Sequence, residues 1–481
     1  METLNKHYID GAWVASEGGS EFPIKSPGDN AVIGSVTLGT AADVDLAVAA
    51  AKRAFESFSQ TSKDERIALL NRLLEVYTAR LEDMAWAITR EMGAPIDMSR
   101  ASQAGCGIDH IKAFLDVMET HEESEVLPNG DVLYREPIGV CGLITPWNWP
   151  ISQVAQKVIP ALAVGATCVL KPSEYTPLSA TIFAECIHEA GYPAGAFNLV
   201  FGSGADVGAA LSRHPDIALM SFTGSTRAGK LVSIDAADTV KRVALELGGK
   251  SPNIIFNDTA EDLEKRVKSS VRHCFHNTGQ SCNAPTRMLV ERSCYDAVLE
   301  IAAKTAETQQ VGDPAQSGRH IGPLFDELQY DRVQAMIQVG IDEGARLIAG
   351  GLGKPEGLEN GWYARPTIFA DVTNQMRIAR EEIFGPVLVI IPFDTEDEAI
   401  AIANDTDYGL AAYLQTGDAA RAERVCRALR AGSIAINGQG TQYGSPFGGY
   451  KQSGNGREGG VFGLEDFLEL KVRGGLGLPA E

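Results

Sequence analysis

The period of the apolar positions changes along the chain, and the changes divide it. Thr40 and Ser62 stand where N-caps of helices would, and Ser62 to Glu65 spells an S-x-x-E capping box. From there Ile67, Leu70, Leu74, Tyr77, Leu81, Met84 and Ile88 recur at helical spacing until Gly93 and Pro95 stop the run. The first third is therefore predicted to be helical. Over residues 122–135, VLPNGDVLYR predicts a hairpin that turns at Asn129-Gly130 between β-type residues. Short apolar runs then alternate with helical stretches, and residues 140–145, 166–171, 196–201, 217–222 and 240–245 are predicted strands. The intervening helix over 178–190 is introduced by Thr176-Pro177 and ended by Gly191. Five such steps predict an α/β protein with a parallel, doubly wound sheet. A second alternation runs from about 251 to 436, with NIIF, TRMLV, PVLVII and AAYLQ as strands. Residues 438–460 read as a Gly-rich loop and 462–472 as a last strand.

Composition narrows the class. A length of 481 residues suits two or three domains. With 44% hydrophobic and 22% charged residues, disordered, collagen-like and coiled-coil chains are excluded. The net charge of −21 repels nucleic acid and anionic membranes, so neither is expected as a partner. The start METLNKHYID lacks the basic and apolar regions of a signal peptide. The longest uncharged run, 137–156, carries three prolines and reads as strand, loop and helix rather than a membrane span. The 8 cysteines are scattered without a CxxC, which fits packed thiols in a reducing compartment. A cytoplasmic protein is expected.

Several segments could carry chemistry. Gly202 to Gly208 approximates a dinucleotide fingerprint with its third Gly one place late, and an ordinary strand–turn–helix fits it equally well. Phe222 to Gly229, FTGSTRAG, is better placed: free amides at a helix start, with Gly224 and the Ser225 hydroxyl, suit a pyrophosphate. An ordinary capped helix is the alternative. Cys282 lies among small and polar residues in NTGQSCNAP, where its sulfur would be accessible. Cys106, Cys168 and Cys186 sit among apolar neighbours and read as packed thiols. His273, Cys274 and His276 have no complementary ligand pair, so no metal site is expected. Glu246 interrupts an apolar strand before Gly248-Gly249, and is either a desolvated general base or a satisfied structural carboxylate. Asn148, at a strand-to-helix junction, could cap the helix or donate to an oxyanion.

TPWNWP, KPSE, FTGSTRAG, LELGGK, GQSCNA, EEIFGP and PFGGYKQSG occur in an order and spacing that resemble the aldehyde dehydrogenase superfamily, from about Ile9 to Lys471. The Glu246–Cys282 separation, 282 − 246 = 36 positions, is slightly long for that family, with the extra length near 258–262. The resemblance implies a Rossmann-like cofactor domain at 1–118 and 137–248 and an α/β catalytic domain at 249–450. It also implies a small β flap at 119–136 and 462–481 that builds a homodimer or homotetramer. Catalysis would fall to Cys282, Glu246 and Asn148. NAD, with NADP also considered, would be held by Ile144, Thr145, Pro146, Trp147, Lys171, Ser173, Glu174, Gly204, Phe222, Thr223, Gly224, Ser225, Thr226, Gly229, Leu247, Glu382 and Phe384. Lys171 and Glu174 would face the adenosine ribose. The aldehyde pocket would comprise Trp149, Gln153, Gln156, Ser281, Asn283, Gln439 and Phe447, whose amides favour a polar small-molecule aldehyde.

The implied reaction is thiolate attack by Cys282, hydride loss from the resulting oxyanion, and hydrolysis of a thioester by water that Glu246 activates. A CoA-acylating dehydrogenase would need no carboxylate at 246. A cysteine hydrolase would need no dinucleotide motif, and a structural protein would not retain all three catalytic residues.

Overall fold

The computed structural model describes residues 2–16 and 18–476. Two seven-stranded sheets organise it. The first runs in the order Arg242–Glu246, Leu219–Thr223, Val140–Ile144, Thr167–Lys171, Phe197–Leu199, Lys6–Ile9, Ala12–Ala15. Its first five strands are parallel, and all five match predicted strands to within about three residues. The strand order reverses at Val140–Ile144, which makes its carboxyl end a topological switch point. The second sheet runs Arg346–Ala349, Thr367–Ala370, Val387–Phe393, Arg287–Glu291, Pro252–Ile255, Ala411–Gln415, Ser433–Ile436. It is parallel apart from its first strand.

The entirely helical first third is corrected. Five short strands occupy the first 38 residues before helix Ala41–Phe58. Lys6–Ile9 and Ala12–Ala15 form a hairpin about Asp10-Gly11, with φ of 53° and 76°, the left-handed pair that an Asp-Gly turn supplies. The long helical run is also two helices, Lys63–Ala79 and Leu81–Met92, broken at Arg80. Ser62 does build its capping box: Ser62 Oγ accepts from the Glu65 N–H while the Glu65 carboxylate accepts from the Ser62 N–H.

The hairpin at Asn129-Gly130 joins Ser124–Val126 to Val132–Pro137, and Leu468–Arg473 pairs antiparallel with the latter. The last predicted strand is thus shorter, because Gly460–Glu465 is helical; residues 477–481 lie outside the described residues. Residues Asn257–Asp262 form a 3-10 turn with Thr259 off helical geometry.

Candidate active site

Helix Pro150–Val164 begins beside the switch point. Pro150 sets its first turn, and every residue from Pro150 to Val164 except Ser152 is buried. Lys157, in the middle of that apolar helix, is buried too; its ammonium donates to Ser221 Oγ at 3.0 Å and to Glu458 Oε1. Neither Lys157 nor Glu458 was anticipated. A lone charge inside an apolar helix was the signal for the first, since such groups are buried only when paired.

Glu246 closes strand Arg242–Glu246 and is 3% exposed. Neither carboxyl oxygen has a hydrogen-bond partner among the described residues, which sets aside a satisfied structural carboxylate. Desolvation holds the Glu246 carboxyl well above its usual range; Glu458 adds to the rise, while Lys157 and Arg457 oppose it. The following Gly-Gly turn admits two close neighbours. A Cβ at Gly248 would lie 2.2 Å from Glu382 Oε2, and one at Gly249 would lie 2.4 Å from the Cys282 carbonyl oxygen. Glu382 Oε1 accepts from the Gly249 N–H at 3.1 Å, and desolvation raises its carboxyl to about 7.

Cys282 follows three consecutive left-handed residues, Asn277, Thr278 and Gly279, at φ 52°, 57° and 71°. Left-handed backbone at β-branched Thr278 is strained, and neighbouring hydrogen bonds hold it. Thr278 Oγ1 donates to the Gly322 carbonyl, and Asn277 Nδ2 donates to the carbonyls of Asn148 and Gln280. Cys282 is half-buried, lines a cavity of about 230 Å³, and is the least typical of the eight thiols: only Cys426 shares its partial exposure. Its sulfur lies in desolvating surroundings near Glu382, Glu246 and Glu458, and all four influences push the thiol up; the Asn283 N–H opposes them. Cys282 thus keeps partial access to the cavity, while its surroundings disfavour the free thiolate.

Asn148 is buried and its Nδ2 donates to the Gln280 carbonyl at 3.0 Å. It does not cap the helix, whose N-cap is Trp149. One N–H of its amide remains for an oxyanion. Trp149, Gln153, Gln156, Asn283 and Phe447 line the cavity with Cys282. Ser281 instead accepts from Trp149 Nε1 at 2.8 Å. Gln439 is exposed on a turn bridged to Ile436 and does not line this cavity. His273 packs edge-on to Tyr413, and His276 stacks on Trp149.

The dinucleotide candidates gather at the carboxyl ends of the first sheet. Ile144 is buried, and Thr145 and Pro146 lead to Trp147, whose ring meets Phe384 edge-on at 5.6 Å. Lys171 and Glu174 form an ion pair at 3.0 Å, and Ser173 Oγ accepts from the Tyr175 N–H. The hydroxyls of Thr145 and Thr223 are buried on adjacent strand ends without a partner among the described residues. Gly229 lets its helix approach Leu247, because a Cβ there would fall 2.6 Å from Leu247 Cδ2. Such close helix–strand packing with unmet hydroxyls fits a bound dinucleotide. One expectation is corrected. The Gly224 N–H donates to the Glu246 carbonyl at 3.1 Å, and a Cβ at Gly224 would fall 2.6 Å from the Phe222 ring. Ser225 Oγ accepts from the Ala228 N–H as an N-cap. The amides of Thr226 and Arg227 remain as first-turn donors. Gly204 is exposed at the start of the helical segment Gly204–Gly208, which Ser203 caps.

The family model described as Aldehyde dehydrogenase family matches residues 13–472. The chain is similar to a 3-succinoylsemialdehyde-pyridine dehydrogenase from a Pseudomonas species, 52% identical over 473 residues covering 98% of each. It also resembles a solved aldehyde dehydrogenase from Bartonella henselae, with a TM-score of 0.96, 50% identity, and 98% and 99% of the two chains covered. A mutant of aldehyde dehydrogenase C from Pseudomonas syringae, complexed with NAD+ and octanal, matches with a TM-score of 0.96 and 50% identity over 98% and 96%.

Proposed function

The chain belongs to the aldehyde dehydrogenase family and is an enzyme that oxidises an aldehyde with NAD, and on that premise we propose that Cys282 is the nucleophile, Glu246 the base and Asn148 an oxyanion donor. The observation that carries the assignment is the unpartnered, desolvated Glu246 carboxyl close to a thiol that needs a proton acceptor. Loss of the Cys282 proton yields the thiolate, which adds to the aldehyde carbon. The remaining Asn148 N–H and the Cys282 backbone amide stabilise the oxygen that becomes negative. When bound, NAD supplies the acceptor for the hydride that leaves as this oxyanion collapses. Cys282 is left as a thioester. Glu246 takes a proton from water, whose oxygen attacks the thioester carbon, releasing the acid and the Cys282 thiol.

Lys171 and Glu174 would hold the adenosine ribose, and Glu382 with Phe384 the nicotinamide ribose, which favours NAD over NADP. The first sheet would form the cofactor domain and the second the catalytic domain. The sheet of Ser124–Val126, Val132–Pro137 and Leu468–Arg473 would be the flap that joins subunits into a homodimer or homotetramer; its exposed apolar residues Val126, Leu470 and Val472 support that role. No helix among the described residues is long and apolar enough to cross a membrane. Eight unpaired cysteines support a cytoplasmic location. The roles are tested with Cys282→Ala and Cys274→Ala. The first should form no NADH from aldehyde; the second, altering a fully packed thiol, should remain active. Equal loss in both would move the nucleophile.

A further inference from the structure

We propose that Gln103 is a positioning residue for the oxidation, whose buried amide orients Asn148 towards the oxyanion. The inference rests on the proposed role of Asn148 as an oxyanion donor and concerns what aims that donor.

Gln103 is fully buried and ends a π-helical turn, Ser99–Gln103, between the short helix Ile96–Met98 and the long helix Gly105–Thr120. The Ala104 N–H closes the turn on the Ser99 carbonyl at 2.7 Å. Such turns are rare and gather at functional sites. This one carries the Gln103 side chain onto segments 45 and 174 positions further along the chain. Gln103 Nε2 donates to the Asn148 carbonyl at 3.0 Å and to Asn277 Oδ1 at 3.2 Å. Its Oε1 is buried with no partner among the described residues, and its nitrogen lies 3.9 Å from Met92 Sδ. An apolar side chain would serve folding better at such a place, because a buried polar atom left unpaired costs stability. The amide serves orientation instead.

The two bonds from Gln103 complete a ring of amides. The Asn148 carbonyl also accepts from Asn277 Nδ2 at 2.9 Å. The Gln280 carbonyl accepts from Asn277 Nδ2 at 3.1 Å and from Asn148 Nδ2 at 3.0 Å. Backbone carbonyls only accept, so the nitrogens must face them, which settles how all three side-chain amides point. Gln103 is the one donor to Asn277 Oδ1 among the described residues. Without it, Asn277 loses the contact that keeps its nitrogen on both carbonyls, and the Asn148 carbonyl loses one of its two side-chain donors. The Asn148 N–H left for the oxyanion turns with its amide plane. Asn148, Asn277 and Gln280 are all buried, so solvent is poorly placed to replace the missing donor.

A double-mutant cycle on the first turnover tests this, with NADH formation followed by stopped flow at saturating NAD. Asn148→Ala removes an oxyanion donor and should slow the first turnover by about 10²–10³-fold. Gln103→Met keeps an unbranched side chain without donors and should slow it by about 10–10²-fold, as a misaimed donor does. Its thermal midpoint and its NAD affinity by fluorescence titration should stay at wild-type values. In the Asn148→Ala background, Gln103→Met should cost no more than about a further threefold, because it acts through the side chain already removed. An unchanged first turnover in Gln103→Met, or losses that multiply in the double variant, would overturn the proposal. So would lost folding or lost NAD binding in both Gln103→Met and Gln103→Leu, which would make Gln103 a structural residue. Asn148→Ala separates the two levels: a wild-type first turnover there would remove the oxyanion role of Asn148 itself. A slow Asn148→Ala beside an unaffected Gln103→Met would remove only the positioning role.

Discussion

Replacing Lys157 with Met keeps a long side chain in helix Pro150–Val164 and removes the cation that Glu458 faces. The two side chains are 1% and 8% exposed, so solvent screens the pair little. Glu458 Oε2 is already buried without a partner, and losing Lys157 would leave the whole carboxylate uncompensated. Breaking one side of such a pair costs about 3–5 kcal/mol, a large part of the roughly 5–15 kcal/mol that stabilises a typical folded protein. Lys157→Met should therefore melt well below wild type. The double variant Lys157→Met/Glu458→Met should recover most of the loss, since apolar replacement of a buried pair is often close to neutral. Catalysis adds a second signature. Lys157 pulls the Glu246 carboxyl down against desolvation and Glu458, so without it that carboxyl rises further. On the proposed role of Glu246 the deprotonated form is the base, so the limb on which kcat increases with pH should move to higher pH. Below that limb, each pH unit of movement lowers kcat about tenfold. Thermal melts and kcat measured with NAD across the neutral-to-alkaline range read both effects. A Lys157→Met enzyme with an unmoved pH profile, or a double variant no more stable than the single one, would refute the reasoning.

Three further outcomes follow from other contacts. Gly448→Ala would place a Cβ 2.5 Å from Glu246 Oε1 and 2.3 Å from the Gly456 carbonyl oxygen. It should lower kcat by up to about 10²-fold, with NAD affinity by fluorescence titration retained. Glu174→Ala removes a carboxylate that would repel a 2′-phosphate and frees Lys171 from its 3.0 Å partner. The ratio of kcat/KM with NADP to that with NAD should rise about tenfold or more. Buried Glu91 accepts from the N–H groups of Leu178 and Ser179, yet desolvation raises its carboxyl to about 8. A raised carboxyl favours the protonated fold, so its contribution is complete below the unfolded value near 4.5 and is lost as pH climbs through about 8. Between about pH 5 and 8 the wild-type thermal midpoint should fall more steeply than that of Glu91→Gln, and the two should run parallel above about pH 8.

The parallel strands and the hairpin at Asn129-Gly130 were legible because buried strands leave short apolar runs and the turn chemistry is local. The N-terminal hairpin was equally legible in Asp10-Gly11 but was obscured by the stronger helical period that follows it. Cys282 and Glu246 stood out because each breaks the character of its segment. The partnership of Glu246 with Glu458 was not legible, because the two are 458 − 246 = 212 positions apart and meet only when the Gly-rich loop folds back over the strand. The occupied Gly224 amide was hidden for the same reason: its acceptor is the Glu246 carbonyl on the neighbouring strand. Gln439 was placed in the pocket by resemblance, whereas its turn after strand Ser433–Ile436 carries it into solvent.

The central claim divides the reaction between a Cys282 that becomes acylated and a Glu246 that releases it. The most direct test is stopped-flow measurement of NADH formed by Glu246→Gln mixed with NAD and aldehyde, read against active-site concentration. If Glu246 serves chiefly in hydrolysis, NADH appears in a burst of up to one equivalent per site, followed by turnover slowed by about 10²–10⁴-fold. If Glu246 also accepts the Cys282 proton, the burst itself slows and recovers as pH rises. A Glu246→Gln enzyme with wild-type steady turnover, under conditions where hydrolysis limits the wild type, would contradict the account.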